Sequence, residues 1–251
     1  MIRRILSLFW VLLLTQCTSA ADAKKLTLRW FGQSFFQLES SQGTRIVFDP
    51  HAIDVYGRPS VKADLVLISH FHNDHTQVEV IENRDKKVLV GLKGTGKKID
   101  WNPIDEKFRD SRIRTVGVYH DLAQGMERGK NAVFIVEVDG LRFVHLGDLG
   151  HLLSDDQVKN IGPVDVLMIP VGGVFTLNGA DAKKVVEQLK PTRYILPMHY
   201  GTKVFDDVLP VDEFLDDQPR EVVKQFPTTN KLTIETDFKP PKAIIAVLNW
   251  K

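Results

Sequence analysis

The stretch His70-Phe71-His72-Asn73-Asp74-His75 places four side chains that can bind a metal ion within six residues. It directly follows the apolar run of residues 64–69, which predicts a buried strand. Imidazole and carboxylate groups are the ligands that a zinc-like ion prefers, and a His/Asp site that activates water is typical of hydrolysis. A solvated polar loop is the alternative, but imidazoles this close together repel one another once protonated unless a cation holds them. The hexapeptide therefore predicts a hydrolytic metal site.

Three further apolar runs also lead into a side chain that can bind a metal. They run into His120, into Asp148 and into His199. A single histidine at a strand end is more often a structural residue than a ligand. Strand ends on one edge of a sheet converge in space, however, so we expect these three side chains to meet the hexapeptide.

The ordered set of motifs resembles a known family. The HxHxDH pattern at 70–75, His120, Gly147-Asp148 and His199 together resemble the metal-ligand set of the metallo-β-lactamase superfamily. The match extends over nearly all of residues 26–205, and it is similar in detail to a branch of uncharacterised metal-dependent hydrolases related to ascorbate-6-phosphate lactonase. The resemblance implies an α+β fold, a four-layer αββα sandwich in one domain. The segments with this similarity are 28–36, 47–50, 145–150, 169–173 and 196–200.

The resemblance also implies a ligand set for two divalent metal ions. A hydroxide held between two such ions is a strong nucleophile near neutral pH, because each cation stabilises the deprotonated water. Asp74 is expected to have a catalytic role besides binding metal, by orienting the nucleophile or returning a proton to the leaving group. One ion would be held by His70, His72 and His120, the second by Asp74, His75 and His199, and Asp148 would bridge them.

His72 separates two reaction classes. Redox members of the superfamily that use two irons typically have a glutamate at this position, so a histidine favours hydrolysis. Zinc is the default ion for a nitrogen-rich site, whereas the lactonase-like branch is associated with manganese, and the sequence does not choose between them. The expected enzyme is a hydrolase of an ester, lactone or phosphoester bond. The alternatives are a phosphodiesterase and a non-catalytic binding protein on the same fold, which the complete ligand set disfavours.

Four other residues near the motifs receive separate interpretations. His151 follows Gly147-Asp148 closely and is expected at the rim of the cleft, with a catalytic role in substrate contact or proton transfer; an exposed loop histidine is the alternative. His145 is interpreted as a packing residue or one that supports the ligands. Asp49 is expected to hydrogen-bond the ligand loop, and His51 is left open.

Composition limits the partners. The chain has 251 residues, 43% hydrophobic and 26% charged, and its net charge of +1 comes from 33 basic and 32 acidic residues. No basic block stands out, which argues against nucleic acid and favours a small-molecule substrate. The oligomeric state is left open. Residues 91–98 nearly spell a phosphate-binding loop, but Lys98 stands where Ser or Thr should bind magnesium, so nucleotide binding is not expected. A role of these lysines in attracting an anionic substrate remains open.

The N-terminus predicts a secretory signal peptide at residues 1–23. Arg3 and Arg4 precede an apolar stretch at 5–14, and small residues follow it, so cleavage is expected after Ala20 or Ala23. The apolar stretch is short for a bilayer span. The mature domain, 24–251, is therefore expected to be secreted or periplasmic. Cys17 is the only cysteine and allows a second reading as a lipoprotein, the one case in which we expect a membrane association.

Hydrophobic periodicity predicts a strand-rich domain with few helices. Helices are expected at 76–83, after a capping box at 154–157, and at 181–190. Strands are expected at 26–31, 35–39, 45–49, 64–69, 87–90, 114–120, 132–138, 141–146, 164–169 and 194–198.

Overall fold

The computed structural model describes residues 23–251. The predicted signal peptide, with Cys17, lies outside this range except for its last residue, Ala23. Within the described range no helix combines the length and the apolar character needed to cross a membrane.

All ten predicted strands are present among the described residues, although their ends shift by up to a few residues. Six further strands were not predicted; they are β6, β7, β8, β14, β15 and β16 of the following series. In chain order the strands are β1 (Lys25–Trp30), β2 (Phe36–Glu39), β3 (Arg45–Phe48), β4 (Leu65–Ile68), β5 (Lys87–Val90), β6 (Leu92–Lys93), β7 (Asp100–Trp101), β8 (Asp105–Phe108), β9 (Ser111–Tyr119), β10 (Lys130–Val138), β11 (Leu141–His145), β12 (Val166–Pro170), β13 (Tyr194–Met198), β14 (Val223–Phe226), β15 (Lys231–Glu235) and β16 (Ile244–Leu248).

These strands form two large mixed sheets and one small hairpin. The first sheet has six strands in the order β15-β1-β2-β3-β4-β5, and the second has eight in the order β14-β16-β13-β12-β11-β10-β9-β8. Strands β6 and β7 pair only with each other. In the second sheet β10 is antiparallel to both β9 and β11, and β11, β12 and β13 are parallel. Strands β9, β11 and β13 therefore point the same way and end at the same edge.

The main core lies between the two sheets. Strand β1 alternates between inward and outward side chains, so that Leu26, Leu28 and Trp30 are buried. They join one continuous cluster with side chains of the second sheet such as Phe134 and Phe143. This packing of sheet on sheet, with helices outside, confirms the α+β sandwich that the resemblance implied.

Two of the predicted helices are confirmed. Helix α1 (Asp155–Ile161) begins with the expected capping box, in which Ser154 and Gln157 exchange side chain-to-backbone hydrogen bonds of 3.2 and 2.9 Å. Helix α2 (Gly179–Leu189) buries Ala182, Val185 and Leu189 in the main core. A short helix, α3 (Asp212–Leu215), packs against α2.

The helix predicted at 76–83 is wrong. The chain there forms 3-10 turns at Asn73–His75 and Val78–Val80. Val80 and Ile81 pack into a second, smaller core on the outer face of the first sheet, and Ile81 forms a bridge to Val61. Because β-branched residues in succession favour extended backbone over helix, the outer layer over this sheet consists of turns.

Candidate metal centre

Four strand ends deliver the candidate ligands to one place. His70 follows β4, His120 follows β9, and His199 follows β13. Asp148 lies three residues beyond the end of β11. Since β9, β11 and β13 end at the same edge of their sheet, their ligands meet there, and the turn after β4 brings the hexapeptide to the same edge.

One oxygen lies at the middle of this cluster. Oδ2 of Asp148 is surrounded by the Nε2 atoms of four histidines, and all five side chains are buried. Asp74 is at the open side, with its Oδ2 atom 3.5 Å from Nε2 of His75 and 3.9 Å from Nε2 of His199. The distances from Asp148 Oδ2 are 3.8 Å to His70, 3.1 Å to His75, 3.2 Å to His120 and 3.2 Å to His199.

The ligand atoms divide into two groups, and within each group they lie within 4.8 Å of one another. His72, in the first group, is exposed, whereas the histidines beside it are buried. The structure thus brings together all seven residues that the sequence proposed as ligands. The first group is His70, His72 and His120; the second is Asp74, His75, Asp148 and His199.

Hydrogen bonds determine which nitrogen of His75 and of His70 faces the centre. Nδ1 of His75 lies 2.9 Å from Oδ2 of Asp49, so Nδ1 carries the proton and donates it. The single hydroxyl proton of Ser69 is donated to Oδ2 of Asp49 at 2.6 Å, so Nδ1 of His70 must donate to Ser69 Oγ at 2.9 Å. Both histidines therefore turn Nε2 toward the centre, as the atom that would bind a metal.

This arrangement fits a bound cation. The Nε2 atoms of His70 and His75 are buried and have no hydrogen-bond partner among the described residues, although both face Oδ2 of Asp148. Lone pairs that face a carboxylate oxygen in a buried site are unfavourable unless a positive charge lies between them. Imidazole nitrogens around a carboxylate are also the donor set of zinc-like ions. The residues present therefore fit a divalent metal.

The pKa shifts of the candidate ligands also favour a bound cation. Burial lowers the pKa of His70 well below its ordinary value, and the neighbouring His75 adds to this effect. Burial also lowers the pKa of His75, but three carboxylates, first that of Asp148, outweigh it and raise this pKa well above its ordinary value. Burial raises the pKa of Asp148, yet His199 and His75 hold it well below its usual range. The centre thus attracts positive charge.

A third group of possible ligands includes Asp49 with His70 and His75. The oxygens of Asp49 are already engaged: Oδ1 accepts from the backbone N–H of Ser69 at 2.7 Å, and Oδ2 accepts from Ser69 Oγ and His75. Asp49 therefore orients the ligand loop by hydrogen bonds, the role that its position in the sequence indicated.

Neighbours fix Asp148 and the two histidines at the far strand ends. Ser34 Oγ donates to Oδ1 of Asp148 at 3.2 Å, which leaves Oδ2 free to face the histidines. A Cβ atom on Gly172 would lie 2.2 Å from the backbone oxygen of His199, and one on Gly150 would lie 2.3 Å from that of His120. Both positions require glycine because the ligand-bearing backbone passes so close.

The structure leaves His151 without a nitrogen for proton transfer. Its Nε2 atom accepts from the backbone N–H of Tyr119 at 3.0 Å, so Nδ1 carries the proton and donates to the carbonyl of Leu152 at 2.7 Å. These two hydrogen bonds tie the loop of His151 to the end of β9 and speak against the proton-transfer role expected for it.

His145 and His51 are also structural. His145 is buried, stacks on Phe48 at 5.1 Å between ring centroids, and donates to the carbonyl of Ser34 at 2.9 Å. His51 is buried and donates from Nε2 to the carbonyl of Phe31 at 3.1 Å, while Nδ1 accepts from a backbone N–H. Neither ring has a nitrogen free to face the centre.

Two clefts open beside the centre, and Arg128 lines both. The first, of about 380 Å³, is lined by His70 and by the cations of Arg128 and Lys97. The second, of about 370 Å³, is lined by His120 and by apolar side chains that include Phe175. Sequence reasoning did not identify Arg128, Phe175 or the supporting Ser34, because nothing in their local sequence marks which long-range contact they make.

Comparison with known proteins identifies the family. Residues 27–199 match the model of the family described as the Beta-lactamase superfamily domain. A UPF0173 metal-dependent hydrolase of Thermococcus onnurineus is 30% identical over 196 residues, which cover 70% of this chain and 84% of that protein. A UPF0173 metal-dependent hydrolase of Pyrococcus furiosus is 31% identical over 195 residues, with 69% and 84% covered.

Solved structures of similar proteins have the same fold. A structure from Thermotoga maritima, described as that of a candidate Zn-dependent hydrolase of the metallo-beta-lactamase superfamily, superimposes with a TM-score of 0.66 at 34% identity and covers 89% of this chain and 98% of that one. A metallo hydrolase of Ignicoccus hospitalis superimposes with a TM-score of 0.59 at 20% identity, over 86% and 100% of the two chains, and shows similarity of fold alone.

Proposed function

The chain belongs to the metallo-β-lactamase superfamily and is a metal-dependent hydrolase, and on this premise we propose that it binds two divalent ions and cleaves an ester or lactone bond. The observation that carries the proposal is the position of Asp148, whose Oδ2 atom lies within 3.8 Å of four Nε2 atoms from two ligand groups. One carboxylate shared by two donor groups is suited to bridging two ions.

Zinc is the ion that we propose, with manganese as the second candidate. Five of the seven donor side chains in the two groups are imidazoles, and nitrogen-rich sites favour zinc. The similar Thermotoga maritima structure is described as that of a candidate Zn-dependent hydrolase, which supports the same choice. Divalent ions at these two groups would activate water and stabilise the negative charge that develops at the scissile bond.

Asp74 is the residue of the ligand groups that we propose to act on the substrate as well. Its side chain is 36% exposed, whereas that of Asp148 is 3% exposed, so the Asp74 carboxylate is accessible from solvent. A carboxylate oxygen there is positioned to orient the attacking water or to hold a proton for the leaving group. His151, with both nitrogens engaged, has no part in this step.

A phosphodiester is the second candidate substrate. The cations of Lys97 and Arg128 line the cleft that reaches His70 and His72, and they would favour a substrate with anionic oxygens. A panel of aryl esters, lactones and bis(4-nitrophenyl) phosphate separates the two bond types. The relation to the ascorbate-6-phosphate lactonase branch stays a prediction that the lactones in this panel test.

Metal analysis combined with hydrolysis assays tests this proposal. Protein reconstituted with zinc is expected to contain about two equivalents of ion and to hydrolyse at least one activated ester or lactone, and a chelator should abolish the activity. Addition of zinc or manganese should then restore it. Failure to bind more than one equivalent would overturn the two-ion centre, and hydrolysis of the phosphodiester alone would replace the ester assignment.

We also propose that the enzyme is exported, because residues 1–23 have the pattern of a secretory signal peptide. Mass spectrometry of protein recovered from its native envelope distinguishes the outcomes. A mature chain starting at Ala21 or Lys24 is expected, a diacylated Cys17 would show a lipoprotein, and an intact Met1 would contradict export.

A further inference from the structure

We propose that the cleft beside His70 and His72 binds an anionic group of the substrate at a distance from the bond that is cleaved, with Arg128 and Lys97 as the binding cations. This inference rests on the proposed function, because it assigns a substrate class to the same centre. The ligand would be a short acyl compound that bears a carboxylate.

The charge of the cleft is the first observation that supports an anion site. Its lining contains three cationic side chains, Lys97, Arg128 and Lys130, and no carboxylate. The chain as a whole is nearly balanced, with a net charge of +1. Lys130 is neutralised by Asp100 at 2.7 Å and lies over the ring of Trp101 at 4.3 Å. Two cations without a counterion therefore remain beside the candidate ligands.

Arg128 is held in place by contacts that leave its charge uncompensated. Its guanidinium stacks on the ring of Phe175 at 4.8 Å and donates to the carbonyl of Val174 at 3.3 Å. Within residues 23–251 no carboxylate oxygen lies within 4.0 Å of it. A guanidinium fixed in this way presents its remaining N–H groups with little further loss of side-chain freedom, and its fork suits a carboxylate or phosphate.

The backbone of the loop that bears Arg128 is also fixed. The buried carboxylate of Asp121 accepts hydrogen bonds from the N–H groups of Gly125, Glu127 and Arg128 at 2.9, 3.2 and 2.8 Å. Asp121 directly follows His120, so the same loop connects a candidate metal ligand with Arg128. The position of the cation is thereby set relative to the reacting centre.

Lys97 contributes from a second loop that lines the cleft. It lies in the 3-10 turn Gly96–Lys98, within the hairpin of β6 and β7, and it is exposed. Within the described residues it forms no ion pair. An exposed ammonium group at the mouth of a cleft attracts anions over several ångströms, and this attraction weakens as salt is added.

Apolar side chains line the cleft together with the cations and the histidines. Phe71, Leu92 and Ile99 line the same cleft. They suit a short hydrocarbon segment between the bond that reacts and the anionic group. The combination of cations and apolar side chains therefore favours a half-ester of a dicarboxylic acid over a plain neutral ester.

A binding experiment tests this inference without requiring hydrolysis. Zinc-loaded protein is titrated calorimetrically with dicarboxylates of four to eight carbons and with the monocarboxylates of the same lengths. At one length or more, the dicarboxylate should bind about tenfold more tightly, because its second carboxylate reaches a charge-assisted hydrogen bond. Equal affinity within every pair would overturn the anion site.

Substitutions then assign the site to its residues. Arg128→Leu should abolish the preference while the metal content stays unchanged, and Arg128→Lys should keep part of it because the charge remains. Lys97→Met should reduce the preference and its salt dependence. The matched control is Arg112→Leu, which removes an exposed arginine near the start of β9, at the end of that strand away from His120. A preference that survives Arg128→Leu would contradict the assignment.

Hydrolysis of matched esters separates this inference from the proposed function. The 4-nitrophenyl half-ester of glutaric acid is compared with 4-nitrophenyl pentanoate, and the ratio of their kcat/KM values is measured for wild type and Arg128→Leu. A ratio that falls about tenfold in the variant supports the anion site. If neither ester is cleaved, the ester function fails while the binding result still decides the anion site. If both are cleaved without preference, the ester function stands and the anion site fails.

Discussion

Nδ1 of His75 lies 2.9 Å from Oδ2 of Asp49, at a site where both side chains are almost completely buried. This contact turns the Nε2 atom of His75 toward Asp148. Through Ser69, the same carboxylate also determines which nitrogen of His70 carries the proton. One carboxylate outside the ligand groups therefore prepares two imidazoles, one in each group, to bind metal.

Asp49→Asn is expected to weaken metal binding about 10- to 100-fold, because the amide nitrogen would replace one acceptor oxygen. It would direct a donor either toward Nδ1–H of His75 and the hydroxyl of Ser69 or toward the backbone N–H of Ser69. The backbone at Asp49 has φ of 43°, which asparagine tolerates, so the loop should keep its conformation. Competition with a chelating dye measures the affinity, and circular dichroism of the metal-free proteins is the control for folding. Unchanged affinity would show that Asp49 does not orient the ligands.

Asp148→Ala should lower the metal content, whereas His151→Ala should leave it unchanged. Removal of the carboxylate at the middle of both ligand groups is expected to reduce binding from about two equivalents to less than one. His151→Ala removes hydrogen bonds to two backbone groups, so it should destabilise the fold by about 1–2 kcal/mol and leave metal content unchanged. Metal analysis and urea unfolding measure the two quantities. Loss of an ion in His151→Ala would refute its structural assignment.

Gly172→Ala should disturb the centre through His199. The new Cβ atom would meet the carbonyl of His199 at 2.2 Å, so the backbone at this candidate ligand has to move. We expect activity of the zinc-loaded enzyme to fall by about tenfold or more, since small displacements of reacting groups are costly. Gly43→Ala is the control: its φ of +83° makes alanine unfavourable, but the turn between β2 and β3 leaves its Cβ in open space. Equal losses of activity in both variants would point to general destabilisation.

The sequence was sufficient for the ligand-bearing strands because each has an apolar run that ends in an imidazole or a carboxylate. The sequence was insufficient to predict strands whose side chains are only partly buried. Strand β14 has only half-buried or exposed residues and β8 alternates weakly, so neither gives a clear period. The error at 76–83 has the same origin, since Val78, Val80 and Ile81 satisfy the spacing of a helix face as well as that of a packed turn.

The candidate ligands were accessible to sequence reasoning, but their supports were not. His151 stands so close to Asp148 that proximity suggested a shared task, whereas its actual partners are backbone groups of Tyr119 and Leu152. Arg128 is 46 positions from Val174, and only the folded chain reveals their contact. Local patterns report which side chains can react, while long-range hydrogen bonds decide which of them are free to do so.

His51 predicts an acid-sensitive contribution to stability. Burial lowers its pKa to about 4, because the charged ring loses its hydration, and hydrogen bonds to the backbone of Phe31 and Gly32 offset this effect only in part. Above pH 6.5, the ordinary value for histidine, both folded and unfolded states have a neutral ring, and the contribution is complete. As the pH falls below 6.5 the unfolded state binds the proton first, so stability is lost progressively until the folded ring also titrates near pH 4. The total loss is about 3 kcal/mol.

His51→Gln keeps a donor near the carbonyl of Phe31 and removes this titration. The variant should be less stable than wild type at pH 7.5, by about 1–2 kcal/mol, because one backbone hydrogen bond is lost. That deficit should shrink or reverse toward about pH 4.5. Only the wild type has an imidazole at this position, and its protonation in the unfolded state lowers the free energy of unfolding. Urea unfolding of both metal-free proteins across this range measures the difference, and the absence of metal removes ion release from the comparison. Parallel curves for the two proteins would mean that His51 has the same pKa in the folded and unfolded states, which would contradict the acid-sensitive contribution.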